Sequence, residues 1–172
     1  MDACRVNLLK KSVLMLLVAA SLICRAWAAE EVRVAAPAPA FELKNLDGRL
    51  VKSTNFNDKA LIVLFWLSSD DLCRKQLLAL TELQKDFGNT DFSAIGIALD
   101  AGGPQAVKAF VEEQKLAFPI LMADYEVVKD FGGLDAVPTL FVIDKNYNII
   151  HKYVGLTEKK VLEDDLKLIL KK

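Results

Sequence analysis

The chain has 172 residues, of which 53% are hydrophobic and 26% charged, with 8 Gly and 5 Pro, and these proportions suit one compact domain while excluding a disordered or fibrous chain. The net charge of −1 gives no reason to propose nucleic acid as a partner, because neutralising phosphates takes Lys and Arg clustered on one face. The charge is uneven: Arg5, Lys10, Lys11 and Arg25 against Asp2 give residues 1–28 a charge of +3, which leaves −4 on the rest.

Arg5, Lys10 and Lys11 form a positive n-region, Ser12 to Cys24 an apolar run, and Ala26-Trp27-Ala28 a small-x-small cleavage site. Residues 1–28 are therefore read as a signal peptide cleaved after Ala28, which predicts a periplasmic or otherwise extracytoplasmic protein. The apolar run is shorter than the roughly 20 residues of a transmembrane helix, so membrane contact is expected only through an uncleaved leader. Acylation at Cys24 is disfavoured by the bulky Ile23 before it. Cys4 and Cys24 fall in the leader, and the mature chain keeps only Cys73. A leftover cysteine in an exported protein is either a buried bystander or a reactive thiol.

Residues 29–38, rich in Ala, Pro and Val without periodicity, are read as a linker, and 39–172 as the domain. Phe41-Glu42-Leu43 and Arg49-Leu50-Val51 flank Asn45-Leu46-Asp47-Gly48, a hairpin signal. Ala60 to Trp66 (ALIVLFW) is an apolar run of strand length, which predicts a central strand buried on both faces. From Asp70 to Phe87 the period becomes helical, with Cys73, Leu77, Leu80, Leu83 and Phe87 on one face, and Gly88 and Asn89 stop it. Phe92 to Leu99 predicts a second strand, Pro104 to Lys115 a helix with Val107, Phe110 and Val111 inward, Ile120 to Met122 a third strand, and Tyr125 to Phe131 a short helix. Strand, helix, strand is a parallel crossover unit. Thr139 to Ile143 and Ile149 to Val154, joined by Lys145-Asn146-Tyr147-Asn148, predict an antiparallel pair. Thr157 offers an N-cap to a closing helix whose Val161, Leu162, Leu166, Ile169 and Leu170 form an apolar stripe.

This order, an α/β architecture with a central mixed sheet flanked by helices and an N-terminal hairpin extension, is that of the thioredoxin fold. Phe65 to Arg74 (FWLSSDDLCR) resembles the active-site segment of the TlpA-type thiol-disulfide oxidoreductases (redoxin, AhpC/TSA-related), in which a Phe-Trp strand end leads to Cys-x-x-Cys-Arg. Phe41 to Leu50 resembles that family's opening hairpin, Val107 to Leu121 its second helix and following strand, and Val137-Pro138-Thr139 its cis-proline loop. The resemblance covers nearly all of Pro39 to Lys172. It places the family's second cysteine on Cys73 and its first, the nucleophile, on Asp70. Disulfide exchange needs one thiolate to attack and a second to resolve the mixed disulfide, and a carboxylate does neither.

Asp70 and Asp71 at a helix start suit the unpaired N–H groups and partial positive charge there. The sharper reading makes Asp70 a fixed-charge mimic of the missing thiolate. Cys73 is open to two readings: a buried thiol that packs as a small hydrophobe, or a reactive one whose pKa the helix terminus lowers while Asp70 and Asp71 raise it. By the resemblance, Pro138 is cis and faces the cysteine site, leaving the backbone of Val137 free to pair with an extended substrate; Trp66 belongs to the core or lines that site. His151, the only histidine, is placed on the outer strand as a solvated or packed side chain. With one His and one mature Cys, neither a metal site nor a cofactor is expected, and Gly102-Gly103-Pro104 lacks a P-loop ending.

Two functions are compatible with these residues. One is a non-catalytic module that binds an extended polypeptide or an envelope protein partner. The other is a single-cysteine thiol oxidoreductase or peroxidase that uses Cys73 with an external thiol donor to resolve each cycle. The Pro-x-x-x-Thr-x-x-Cys pattern of peroxiredoxins is not found before Cys73.

Overall fold

A computed structural model describes residues 30–87 and 91–170; the leader, the Gly88-Asn89 helix stop and the closing lysines lie outside them. In chain order the elements are β1 (Glu30–Pro37), β2 (Glu42–Lys44), β3 (Leu50–Lys52), a 3₁₀ turn (Ser53–Phe56), β4 (Ala60–Trp66), α1 (Asp71–Phe87), β5 (Phe92–Ala98), α2 (Pro104–Gln114), β6 (Ile120–Met122), α3 (Tyr125–Asp130), β7 (Thr139–Ile143), β8 (Asn148–Val154) and α4 (Lys159–Leu170). Six strands form one mixed sheet in the order β1-β8-β7-β4-β5-β6, and β2 with β3 form the separate hairpin. The β4–β5 and β5–β6 pairs are parallel, while β4–β7 and β7–β8 are antiparallel.

β4 runs through the middle with every side chain buried, and its alternation sorts two cores. Ala60, Ile62, Leu64 and Trp66 pack with Cys73, Leu77, Leu80 and Leu83 of α1, Val107 of α2, and Leu162 and Leu166 of α4. Leu61, Val63 and Phe65 meet Phe41 and Phe56 of the hairpin region, Val127 of α3 and Phe131 just beyond it. Phe65, Phe131 and Phe141 pack edge to face, with centroids 4.9 to 5.9 Å apart, the arrangement that ring quadrupoles favour. Gly96 in β5 is a requirement of close packing: a Cβ there would lie 2.6 Å from Ile120 Cδ1 and 3.1 Å from Trp66 Nε1.

Three expectations need correcting. Residues 29–38, read as a linker, instead supply an edge strand, β1, antiparallel to β8 with Glu30 opposite Val154 and Pro37 opposite Asn148. The backbone groups that β8 would otherwise leave unpaired at a sheet edge accept any extended partner, whatever its side-chain pattern. Because β1 covers β8, the strand that carries His151 is not outermost, and His151 is the packed side chain of the two readings, buried under α4. Its Nδ1 is 3.0 Å from Asp165 Oδ1 of α4, and the hydroxyl of Tyr153 donates to Asp165 Oδ2 at 2.9 Å. The third correction concerns Thr157, expected to cap α4: the helix begins at Lys159, and the Thr157 hydroxyl turns back to the Gly155 carbonyl oxygen.

Candidate functional site

Strand register brings the sequence-predicted site residues to one end of the sheet. Phe65 lies opposite Thr139 and Thr139 opposite Val154, so the segment leaving β4, the Val137-Pro138 loop entering β7 and the loop leaving β8 emerge together. Parallel β5 ends at the same level, with Trp66 opposite Ala98. Loops at the carboxyl ends of parallel strands, next to a helix N-terminus, are where α/β proteins bind ligands.

The segment between β4 and α1 is tied at both ends. Asp100 receives the Ser68 N–H and hydroxyl on its carboxylate, and the Arg74 Nε donates to the Ser68 carbonyl oxygen at 2.7 Å. The Arg74 guanidinium also sits over the Phe110 ring, 5.2 Å from its centroid. Asp70 then caps α1: its Oδ1 accepts the Cys73 N–H at 2.7 Å, satisfying one of the orphan donors of the first turn. That hydrogen bond holds the Asp70 carboxyl below its ordinary pKa, so Asp70 is a carboxylate at neutral pH. Asp70→Ala should cost about 1 kcal/mol in chemical denaturation, and Asp70→Asn, an equally good cap, should cost much less.

Cys73 is the free cysteine among the described residues and is fully buried. Burial, which disfavours the charged thiolate, pushes its pKa up to about 12. A hydrogen bond with the Leu67 backbone works the other way, while Asp70 and Asp100 add to the rise. The balance between helix field and neighbouring carboxylates is therefore overridden by desolvation, which a sequence pattern does not price.

The Val137–Pro138 peptide bond is cis, with Pro138 buried and Val137 half-buried. Trp66 is corrected as a surface of this site: it is fully buried, tilted against Phe110, and its role is packing. The exposed apolar side chains near the loops are Leu72 in the first turn of α1 and Leu156 after β8, each 43% exposed. Three residues of the site escaped the sequence reading. Asp100 had no signal, since its partner Ser68 is 32 residues away. Arg74 was visible only as part of a motif. Gln76 did carry a signal, a carboxamide on the apolar face of α1; it is fully buried, and its Oε1 accepts the Thr157 N–H at 2.7 Å. No group of three or more His, Cys, Asp or Glu placed to hold a metal occurs among the described residues. None of the helices among them is long and apolar enough to cross a membrane.

Comparison with known proteins adds the lineage. The AhpC/TSA family profile matches residues 34–152. The thiol-disulfide oxidoreductase ResA of Bacillus thuringiensis subsp. konkukian is 31% identical over 142 residues, spanning 81% of this chain and 80% of that protein. Among solved structures, a thiol:disulfide interchange protein of the thioredoxin family from Chlorobium tepidum TLS superposes with a TM-score of 0.73 at 30% identity, covering 79% of this chain and 97% of that one. A second structure from Chlorobium tepidum, described as a DsbE-type interchange protein, gives a TM-score of 0.74 at 22% identity over 81% of this chain and 99% of the other, a likeness that concerns the fold. The architecture is the thioredoxin fold.

Proposed function

The chain belongs to the AhpC/TSA family and is a thioredoxin-fold relative of the thiol-disulfide oxidoreductases, and on that premise we propose that it is an exported polypeptide-binding module in which dithiol exchange has been lost. Asp70 occupies the position from which a cysteine would attack. The Val137–Pro138 edge receives an extended chain, held by backbone pairing as strands hold one another, and no covalent bond is made to it. Export rests on the leader pattern of residues 1–28.

The observation that carries this reading is the hydrogen bond from the Cys73 N–H to the Asp70 carboxylate, beside a thiol that has no exposed surface. The first step of exchange is attack of a thiolate on a disulfide sulfur, which breaks the S–S bond and releases one substrate thiolate. A carboxylate at the helix start enjoys the same favourable field as a thiolate but has no sulfur to bond. A single-cysteine route through Cys73 meets two obstacles, the absence of solvent access and a pKa near 12.

With insulin and dithiothreitol, the wild-type protein is expected to add no rate of insulin reduction above that of dithiothreitol alone. It should still bind the S-carboxymethylated insulin B chain, an extended polypeptide without free thiols, in fluorescence anisotropy. Catalytic turnover of insulin would overturn the loss of exchange. Failure to bind the B chain would overturn the groove.

A further inference from the structure

Gln76 stands three residues after Cys73 on the buried face of α1 and has no exposed surface. A carboxamide in that position is costly unless both of its ends are paired. Its Oε1 accepts the Thr157 N–H at 2.7 Å across 81 residues of sequence. Because the partner is a donor, the amide orientation is determined: exchanging O and N would set two donors against each other. The Nε2 therefore faces away from Thr157, and it has no hydrogen-bond partner. Leucine or methionine would fill a similar volume without that orphaned donor, but would leave the buried Thr157 N–H unpaired instead. What it supplies that they cannot is the tie to Thr157.

That tie continues to the groove. Gly155, in the left-handed region at φ 91°, donates its N–H to the Pro138 carbonyl oxygen at 2.8 Å. The line of contacts thus runs from α1 through Gln76 and Thr157 to Gly155 and the cis-proline loop. Leu156 sits between the two anchored residues with its side chain 43% exposed.

We propose that Gln76 is a positioning residue: its carboxamide ties the Gly155–Thr157 loop to α1 and so holds Leu156 beside the Pro138 loop, in the arrangement that seats an apolar side chain of an extended polypeptide. The ligand half of this proposal rests on the groove reading given above, whereas the tie stands on the free protein. A backbone loop fixed at two N–H groups loses little further entropy when a ligand arrives, which is how preorganisation raises affinity.

The test uses the full chain with Gln76→Leu, and with Gln76→Met as a second variant of different shape. Amide hydrogen exchange at Thr157 should accelerate about tenfold or more in both, while exchange in the middle of α1 stays slow. The thermal midpoint should change little, because the variants remove the orphaned Nε2 donor but free the Thr157 N–H, which finds water as the loop loosens. Affinity for the S-carboxymethylated insulin B chain should fall about tenfold. A merely structural role would lower the midpoint together with the affinity, and that result overturns the proposal, as does unaltered Thr157 exchange or unaltered affinity. If wild type does not bind the B chain while the variants still show accelerated exchange, the groove reading and the ligand half fall and the tie stands.

Discussion

Asp70→Cys should give the folded protein insulin reductase activity at least about tenfold above the dithiothreitol background, because on the proposed reading it restores the one step that was lost. The new thiol would sit at the start of a 17-residue helix, where unpaired N–H groups and the helix field stabilise a thiolate. It attacks the insulin disulfide and releases one insulin thiolate. Cys73, one turn along, then attacks the mixed disulfide, releases the second insulin thiol and leaves a bridge between positions 70 and 73. Dithiothreitol reduces that bridge and closes the cycle. Removing Asp70 also removes one of the carboxylates that raise the Cys73 pKa, so the resolving thiol becomes easier to ionise in the variant. The cost is the lost cap, about 1 kcal/mol. In the protein without residues 1–28, which carry Cys4 and Cys24, two thiols should titrate after denaturation of the reduced variant and none in the oxidised one. A folded variant that forms no bridge and reduces no insulin would show that position 70 does not face Cys73 as an attacking residue must, and the reading of the site would fall with it.

How much of this was legible beforehand depended on whether a feature is local. β4 was readable because seven consecutive apolar residues admit few placements other than a strand with both faces covered. α1 was readable from the spacing of Cys73, Leu77, Leu80 and Leu83, and the Asn45 to Gly48 turn from its residue types. β1 was missed because an edge strand is chosen by the open backbone of its neighbour, β8, and Glu30 to Pro37 carries no alternating pattern of its own. Thr157 was a reasonable cap by type, but the helix starts at Lys159, and Thr157 instead gives its N–H to Gln76, 81 residues away. The same holds at the site. The Asp70 cap follows from residue type and position, whereas the Asp100 brace on Ser68 and the Asp165–Tyr153–His151 cluster between α4 and β8 are made by tertiary proximity alone. Burial decided the character of Cys73 and Trp66. Burial depends on what covers a residue, so periodicity could place both on the inward side and still leave open whether solvent reached them.

For Cys73 the consequence is large. At pH 8, iodoacetamide should modify it roughly a thousandfold more slowly in the native protein than in the unfolded chain, since a thiol of ordinary pKa, about 8.5, is then partly ionised and one near 12 is not. The same difference sets a pH dependence of stability. Below about pH 8.5 the thiol is protonated in both states and contributes no slope. Above that the unfolded chain loses the proton while the folded protein keeps it, so stability falls as pH rises toward the folded value of about 12, by up to about 1.4 kcal/mol per pH unit. Lys52, Lys159 and Lys160, raised by their carboxylate partners, also lose stability at alkaline pH, but equally in wild type and in Cys73→Ala. The difference between the two proteins therefore isolates the thiol: Cys73→Ala should lose less stability than wild type between pH 9 and 11 in urea titrations, by about 2 to 3 kcal/mol. Rapid native alkylation together with parallel pH curves would mean that the thiolate is accessible at neutral pH, and a single-cysteine chemistry would then regain its footing. Slow alkylation with diverging curves removes the nucleophile from any one-thiol cycle, because peroxide reduction and disulfide attack both begin from the same ionised sulfur.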